Sequence, residues 1–413
     1  MSADWKPPVT ALVTPWFGTG KGGAEVFCGG LARAVAALGR PVEILTTCCI
    51  DPFRDWGRDQ CEPGEEAFGP VTVRRFRVSP RNADIYHHYS RLLDSGFELA
   101  EPQQEELLAN SVNSRDLCRF ITRHGREYRF FFLPYLYGTT FFGMRASFPR
   151  HAFLIPCLHN EPYAYMSVLQ GMFARARGCL FLSPPERDLA TALYGLHDAR
   201  RLLLGGGVTR ECLGDGARFR RAARLDAPFA LFVGRKVPGK GADILLRCFR
   251  EYLAARPDSP LHLVLIGGGQ LEIPDGLRGR AHSLEAATHD EVRDAMAACE
   301  FLVHPSLYES FSIVMMEAWL NGKPVLVNGE CEVTLHHVLQ SRGGLYFTTV
   351  GEFVEAAAVL EDNPALARRM GSAGAEYVRQ HYLWPDVAMR FHNFLADLDR
   401  EDRDAAERRA VAS

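Results

Sequence analysis

Two Rossmann-like, doubly wound α/β domains facing each other across a cleft are the fold class this 413-residue sequence predicts. Three observations predict it. Strand-like and helix-like segments alternate through the first half, the alternation breaks over 201–228, and then it restarts. Such alternation implies parallel sheets covered by helices on both faces. A hydrophobic fraction of 47% over 413 residues is enough for two cores of ordinary size.

In order, the first half reads TALVTPW as a strand, a helix to Leu38, then the strands PVEILTTC, REYRFFFLPY, HAFLIPCLH and RGCLFLS. The aromatic run YRFFFLPYLYGTTFFG (128–143) reads as a buried strand and a packed turn. A membrane-dipping or acceptor-binding role is its alternative. Residues 201–228, rich in Gly and Arg without a sustained period, read as the connection between domains. Beyond it come the strand APFALFVGR, the helix ADILLRCFREYLAARP, the strand LHLVLIGGG and the helix THDEVRDAMAAC. EFLVHPS is a strand, and SIVMMEAWLNG a helix stopped by Gly322 with Pro324 beyond. KPVLVN is the next strand, and three helices close the chain. The division predicted is 1–207 and 208–383, with a terminal helix over 384–400 packing back on the first domain. The charged tail REDRDAAERRAVAS is expected to fray.

Composition narrows the function. A net charge of −3 gives no electrostatic reason to expect nucleic acid as partner. The 11 cysteines follow no metal or disulfide spacing and read as reduced, mostly buried thiols of a cytoplasmic protein. The vicinal pair Cys48-Cys49 reads as core packing rather than a redox site. No apolar run is long enough to span a membrane, and MSADWKPPVTALV lacks the pattern of a signal peptide. A soluble, unexported protein is expected, with peripheral attachment to the inner face of a membrane left open. Only five basic residues are lysine: Lys6, Lys21, Lys236, Lys240 and Lys323.

Three features carry the chemistry. VGRKVPGKG (233–241) leaves a strand and puts Arg235 and Lys240 on one loop. At the carboxyl edge of a parallel sheet such cations meet ligand phosphates, Arg as a planar fork and Lys as a point charge. HPSLYESFSIVMMEAW (304–319) runs strand, loop, helix, with Glu309 in the loop and Glu317 in the helix. Ser310 and Ser312 are N-cap candidates, and the free amides of Ser310, Phe311, Ser312 and Ile313 make a ready anion site. LVLIGGG (263–269) ends a strand in glycines that serve either close backbone approach to a ligand or a plain turn.

As a set these segments resemble the family 4 glycosyltransferases of the GT-B fold, retaining enzymes that use nucleotide sugars. VGRKVPGKGADILL is similar to their diphosphate segment, and Glu309 to Glu317 to their E-x7-E motif. KGGAEVFCGGLARAVAALGRPVEILT resembles their N-terminal glycine loop, CLHN (157–160) the segment supplying a cleft histidine, and WPDVAMRFHNFL the returning helix. NGECEVTLHHV (328–338) resembles a loop that shapes the sugar pocket in one subgroup. The resemblance implies that Arg235 and Lys240 hold the donor diphosphate with the amides after Glu309. It places Glu309 on donor sugar hydroxyls, Glu317 on the ribose, His159 beside the reacting sugar, and Gly22 and Gly23 near phosphate and acceptor. A nucleotide sugar and a glycan or lipid-linked acceptor are the implied partners, with no cofactor and no metal. Ser312 stands where the family often has glycine and Asn160 where it often has aspartate. The turn before the base-contacting loop is obscure in GRAHSLEAATHDEV, which leaves the base open.

Two rival functions bear on the opening glycines. GTGKGG contains a literal G-x-G-x-x-G, the mark of an NAD-dependent oxidoreductase, but the acid that should follow by ~20 residues fits badly. Gly18 and Gly20 then read as turn residues, and KGGAE as the ligand-facing motif. The second rival is a non-catalytic nucleotide-sugar-binding module. The D-x-D triplet Asp397-Leu-Asp399 lies in the terminal helix and is not read as a metal site.

Overall fold

The computed structural model describes residues 6–18, 22–196, 200–210, 213–284 and 288–412. It divides into two compact units, Met1–Gly207 with Trp384–Ser413, and Val208–Leu383.

The first unit begins β1 (Val9–Val13), α1 (Gly23–Ala36), β2 (Val42–Thr47), β3 (Gly64–Phe68) and β4 (Val71–Phe76). Three helices follow: α2 (Ala83–Asp94), α3 (Glu101–Ala109) and α4 (Arg115–Arg123). It continues through β5 (Tyr128–Phe132), α5 (Gly138–Ala146), β6 (Ala152–Leu154) and α6 (Val168–Arg175). Last come β7 (Gly178–Phe181), α7 (Pro184–Tyr194) and β8 (Arg200–Leu203). The sheet order is β3-β4-β2-β1-β5-β6-β7-β8, parallel throughout except for the edge pair β3 and β4.

The second unit holds α8 (Gly216–Ala223), β9 (Phe229–Val233), α9 (Ala242–Ala255), β10 (His262–Ile266) and β11 (Ala281–Leu284). Next are α10 (His289–Ala298), β12 (Phe301–His304), α11 (Ile313–Leu320), β13 (Val325–Asn328) and α12 (Glu332–Ser341). It closes with β14 (Gly344–Phe347), α13 (Val350–Asp362) and α14 (Pro364–His381). All its strand pairs are parallel, in the order β11-β10-β9-β12-β13-β14. Counted within the unit this is 3-2-1-4-5-6, the doubly wound order. The first unit has the same order on either side of β1, with β3 added at its edge.

Local sequence explains the elements. Every residue of the β5 run YRFFF is buried, as expected of a central parallel strand covered on both faces. Thr288 with Glu291 and Thr349 with Glu352 form capping boxes that start α10 and α13. Gly322, at φ 72°, follows α11 as the expected left-handed stop.

The tail is a correction. Helix α15 (Trp384–Ala412) runs on through residues expected to fray. Its first residue, Trp384, lies where a Cβ on Gly30 or Gly207 would sit, so both glycines are required by its ring. Further along, Phe391 and Phe394 pack edge-on against Phe131 and Phe153. Arg129, 1% exposed, donates to Asp399 at 2.5 Å and to Asp402 at 2.7 Å. Arg177 and Arg150 also reach Asp402, and Arg40 reaches Asp399. Burial would raise the Asp402 pKa, but the arginines outweigh it and hold it below the ordinary carboxylate value. Asp399 of the D-x-D is thus an ion-pair residue.

Segment 201–228 holds the junction between the units, at Gly207–Val208, as expected, but it is not connection throughout. It contains the end of β8 and the helix α8, whose N-cap Asp215 accepts the amides of Ala217 and Arg218. Arg218 pairs with Asp294 of α10. Cys48 and Cys49 are fully buried, and burial pushes both thiols up to about 12, the state of inert core cysteines. Among the described residues, no helix is long and apolar enough to cross a membrane.

Candidate functional site

In an open parallel sheet, ligands bind outside the carboxyl ends of the strands where the strand order reverses. In the second unit that place lies between β9 and β12. The two loops flagged by the sequence leave these two strands. They are bonded to each other: the Gly239 carbonyl accepts the Leu307 amide at 3.3 Å and the Ser306 hydroxyl at 3.4 Å. Gly241, at φ 69°, comes so close to Pro305 that a Cβ would lie 2.4 Å from its carbonyl oxygen. Glycine is therefore needed there for both conformation and space.

This stitching brings Lys240 to Glu309. The Lys240 ammonium donates to Glu309 Oε1 at 2.6 Å, and His304 Nε2, at the end of β12, lies 3.0 Å from the same oxygen. Oε2 has no hydrogen bond among the described residues. Burial alone would raise the Glu309 pKa, but Lys240 and then His304 outweigh it and hold the carboxyl far below its ordinary value. The group is a fixed anion with one free oxygen. Arg235 is exposed on the same loop and makes no ion pair among the described residues. Its neighbour Lys236 turns inward, 5% exposed, and donates to the Leu284 carbonyl at 3.0 Å.

Helix α11 starts at Ile313, and its first internal bond runs from the Met316 amide to the Ser312 carbonyl. Among the described residues, no bond engages the amides of residues 310–315. They are the donors that a helix N-terminus offers to an anion. Ser312 occupies the N-cap position but does not cap, contrary to the sequence reading. It is left-handed at φ 72°, and its hydroxyl lies 3.1 Å from His304 Nε2. Ser310 and Phe311 are buried in the turn before it. Glu317 is half-buried without a hydrogen-bonding partner among the described residues. Burial lifts its pKa to about 7, with Arg293 pulling weakly the other way.

The glycines of LVLIGGG divide by role. A Cβ on Gly267 would lie 2.0 Å from the Gly234 oxygen and one on Gly269 3.1 Å from the Lys236 oxygen, so both serve backbone packing. A Cβ on Gly268 would meet nothing within 4 Å.

In the first unit the order reverses between β1 and β5. Gly18, after β1, has φ 142°, a Cβ on it would lie 2.9 Å from Ile50 Cγ2, and its amide donates to Glu25 at 2.6 Å. It is a turn residue. Gly20 and Lys21 lie outside the described residues. Gly22 is the N-cap of α1 and Gly23 its first residue, where an added Cβ would meet nothing within 4 Å. His159 follows β6; its Nδ1 lies 3.3 Å from Glu161 Oε1, which also accepts the Tyr135 hydroxyl at 2.8 Å. The loop is held from below by buried Glu186, which accepts the Leu158 amide at 2.8 Å and the Leu182 amide at 2.6 Å. Burial nonetheless pushes Glu186 up to about 8.

Sequence reasoning passed over His304, Glu161, Glu186 and Lys236. The first two left a signal: His304 ends the strand that leads to Glu309, and Glu161 is two residues from His159. Glu186 and Lys236 left none, because a backbone partner of each, the Leu158 amide and the Leu284 carbonyl, is distant in sequence.

Residues 227–363 match the family model described as glycosyl transferases group 1. The chain is 35% identical over 182 residues to the D-inositol 3-phosphate glycosyltransferase of Rhodococcus jostii, covering 40% of each protein. It is 33% identical over 250 residues to that of Acidothermus cellulolyticus, covering 54% of this chain and 52% of the relative. The matched stretch is thus about half or less of these curated relatives' length. Among solved structures, sucrose-phosphate synthase from Thermosynechococcus elongatus superposes with a TM-score of 0.69 at 18% identity, over 95% of this chain and 99% of that one. The α,α-trehalose 6-phosphate synthase of Burkholderia multivorans gives 0.71 at 14% identity, over 98% of each. Anabaena Alr3699/HepE, in complex with UDP and glucose, gives 0.67 at 16% identity, over 94% of this chain and 100% of that one. The fold is the two-domain α/β fold of the GT-B glycosyltransferases.

Proposed function

We propose that this chain is a retaining, metal-independent glycosyltransferase of family 4 that moves a sugar from a UDP- or GDP-sugar to a glycan, lipid-linked or small-molecule acceptor. One observation carries the reading: the Lys240–Glu309 pair stands where the second unit's strand order reverses, beside the unbonded amides that open α11. Breaking the glycosidic bond leaves a nucleoside diphosphate with growing negative charge. Arg235, Lys240 and those amides are cationic or dipolar groups aimed at such charge. At ~4 Å and an effective dielectric of about 20, two unit charges attract by about 4 kcal/mol, and only the part that grows in the transition state speeds the step.

Glu309 Oε2 is the acceptor for donor sugar hydroxyls, and Glu317 the acceptor for the ribose. His159, held through Nδ1 by Glu161, presents Nε2 to the reacting sugar, and Gly22 and Gly23 leave backbone open to phosphate and acceptor. Retention implies attack on the face the diphosphate leaves, with the acceptor hydroxyl passing its proton to the departing phosphate oxygen. The relatives named for D-inositol 3-phosphate make a phosphorylated small molecule a reasonable acceptor to try first. Cytoplasmic placement, with or without contact with a membrane, belongs to the same proposal.

A panel of UDP- and GDP-sugars, read by release of the nucleoside diphosphate, tests the reading. Turnover of at least one donor is expected, together with thermal stabilisation by UDP or GDP. Stabilisation by NADH alone would replace the proposal with an oxidoreductase. Nucleotide binding without turnover on any donor or acceptor would leave a binding module.

A further inference from the structure

Ser312 is a non-glycine residue held at φ 72° and ψ 80°, a conformation that costs an L-residue about 1 kcal/mol or more. Its side chain does not repay this by capping α11. It reaches back to His304, which is 3% exposed and whose Nδ1 is buried without a partner among the described residues. A proton on Nδ1 would therefore be a buried donor with nothing to bond, a costly arrangement. The ring proton belongs on Nε2, between Glu309 Oε1 at 3.0 Å and Ser312 Oγ at 3.1 Å. Both oxygens accept from one N–H. The reverse tautomer would set the Nε2 lone pair against the Glu309 carboxylate.

We infer that His304, in its Nε2–H tautomer and steadied by the Ser312 hydroxyl, is a positioning residue that fixes Glu309 Oε1 so that Oε2 is presented to the sugar of the donor. The left-handed turn at Ser312 is what places the hydroxyl there. This rests on the glycosyltransferase reading for the identity of the ligand, but the tautomer and the contact do not depend on it.

The experiment compares the parent with H304F, H304Q, S312A and S312G, using the donor that the parent hydrolyses. H304F removes the N–H and should lower kcat about 10- to 100-fold, the range for a hydrogen bond to a charged group. H304Q restores a donor and should recover most of that loss. S312A and S312G should each lower kcat about fivefold, a neutral hydrogen bond's worth. S312G should nonetheless melt at a higher temperature than S312A, because glycine relieves the left-handed strain. Affinity for UDP or GDP, which lack the sugar, should stay within about twofold of the parent. Variants H304F and S312G turning over at the parental rate would overturn the inference. So would a fall in nucleotide affinity parallel to the fall in kcat. Nitrogen-15 spectra of histidine-labelled protein supply the arm independent of activity, with His304 assigned by its loss in H304Q. A single Nε2–H tautomer supports the inference even if no donor is turned over, in which case the functional reading alone fails. An Nδ1–H tautomer overturns it.

Discussion

The two units share a strand order but furnish its reversal point with different chemistry. In the second, the loops after β9 and β12 supply Arg235, Lys240 and Glu309, with a helix N-terminus beside them. In the first, the loops after β1, β2, β4 and β5 supply Trp16, Trp56, Arg81 and Tyr137. Trp16 packs edge-on to Tyr137 at 4.8 Å and stacks on Trp56 at 6.0 Å, and the Arg81 guanidinium covers Trp56 at 4.8 Å. Topology fixes where a ligand site can form, and the loop residues decide what it holds. Fixed charges at one edge suit a diphosphate. Half-buried rings and open glycine backbone at the other suit a less charged molecule.

Substituting one cation of the charged edge is the strongest way to test this contrast. Lys240→Ala should lower donor turnover about 10²- to 10³-fold, as loss of a group that stabilises developing charge does. Donor-hydrolysis rates at saturating nucleotide sugar check it.

The glycines of the first unit should separate next. Gly18→Ala forces a side chain into φ 142° and against Ile50, so about 1–3 kcal/mol of stability should be lost. Gly23→Ala meets no atom within 4 Å and should leave the melting temperature unchanged. Gly23→Val should then impair transfer through the ligand alone, and more than Gly18→Ala does per folded molecule. Melting curves read beside transfer rates decide between these roles.

A smaller effect concerns Glu317. Its pKa is about 7 because burial disfavours the anion, whereas ribose hydroxyls bond best to the anion. Nucleotide affinity should therefore rise about tenfold from pH 5.5 to 7.5 and flatten above. The slope due to this group should vanish in Glu317→Gln, with the parent's remaining slope belonging to the phosphate. For the unliganded fold the sign is opposite. A carboxyl whose folded pKa is raised loses stability as pH climbs from its unfolded value of 4.5 towards 7. Calorimetric titration of parent and variant across that range measures the slope.

The smallest effect expected is at the aromatic edge. Trp16→Ala should leave UDP and GDP affinity within about twofold, since the cations proposed to hold the diphosphate, Arg235 and Lys240, stand on the other unit. A large loss of nucleotide affinity would erase the contrast between the edges.

Much of this was readable in the sequence because parallel strands covered on both faces are continuous apolar runs, as in YRFFF, FALFV and HLVLI. Two of the elements that escaped owe their order to distant partners. Helix α8 has a single buried residue, Phe219, and is fixed by Arg218 on Asp294. The end of α15 looks like a solvated charge run until Arg129, 270 residues away, pairs with Asp399. At the site, loop position and residue type were legible for Arg235, Lys240 and Glu309. The backbone of Ser312 left one signal, its place where the resembled family often has glycine; the letter alone reads as a serine cap.

The most direct measurement is the rate of nucleotide release from a nucleotide sugar by Glu309→Gln beside the parent, both saturated with donor. The amide keeps the size of the side chain but takes the negative charge from beside Lys240 and His304. The account predicts a fall in kcat on the order of 10²-fold with little change in affinity for UDP or GDP. Release at the parental rate would contradict it.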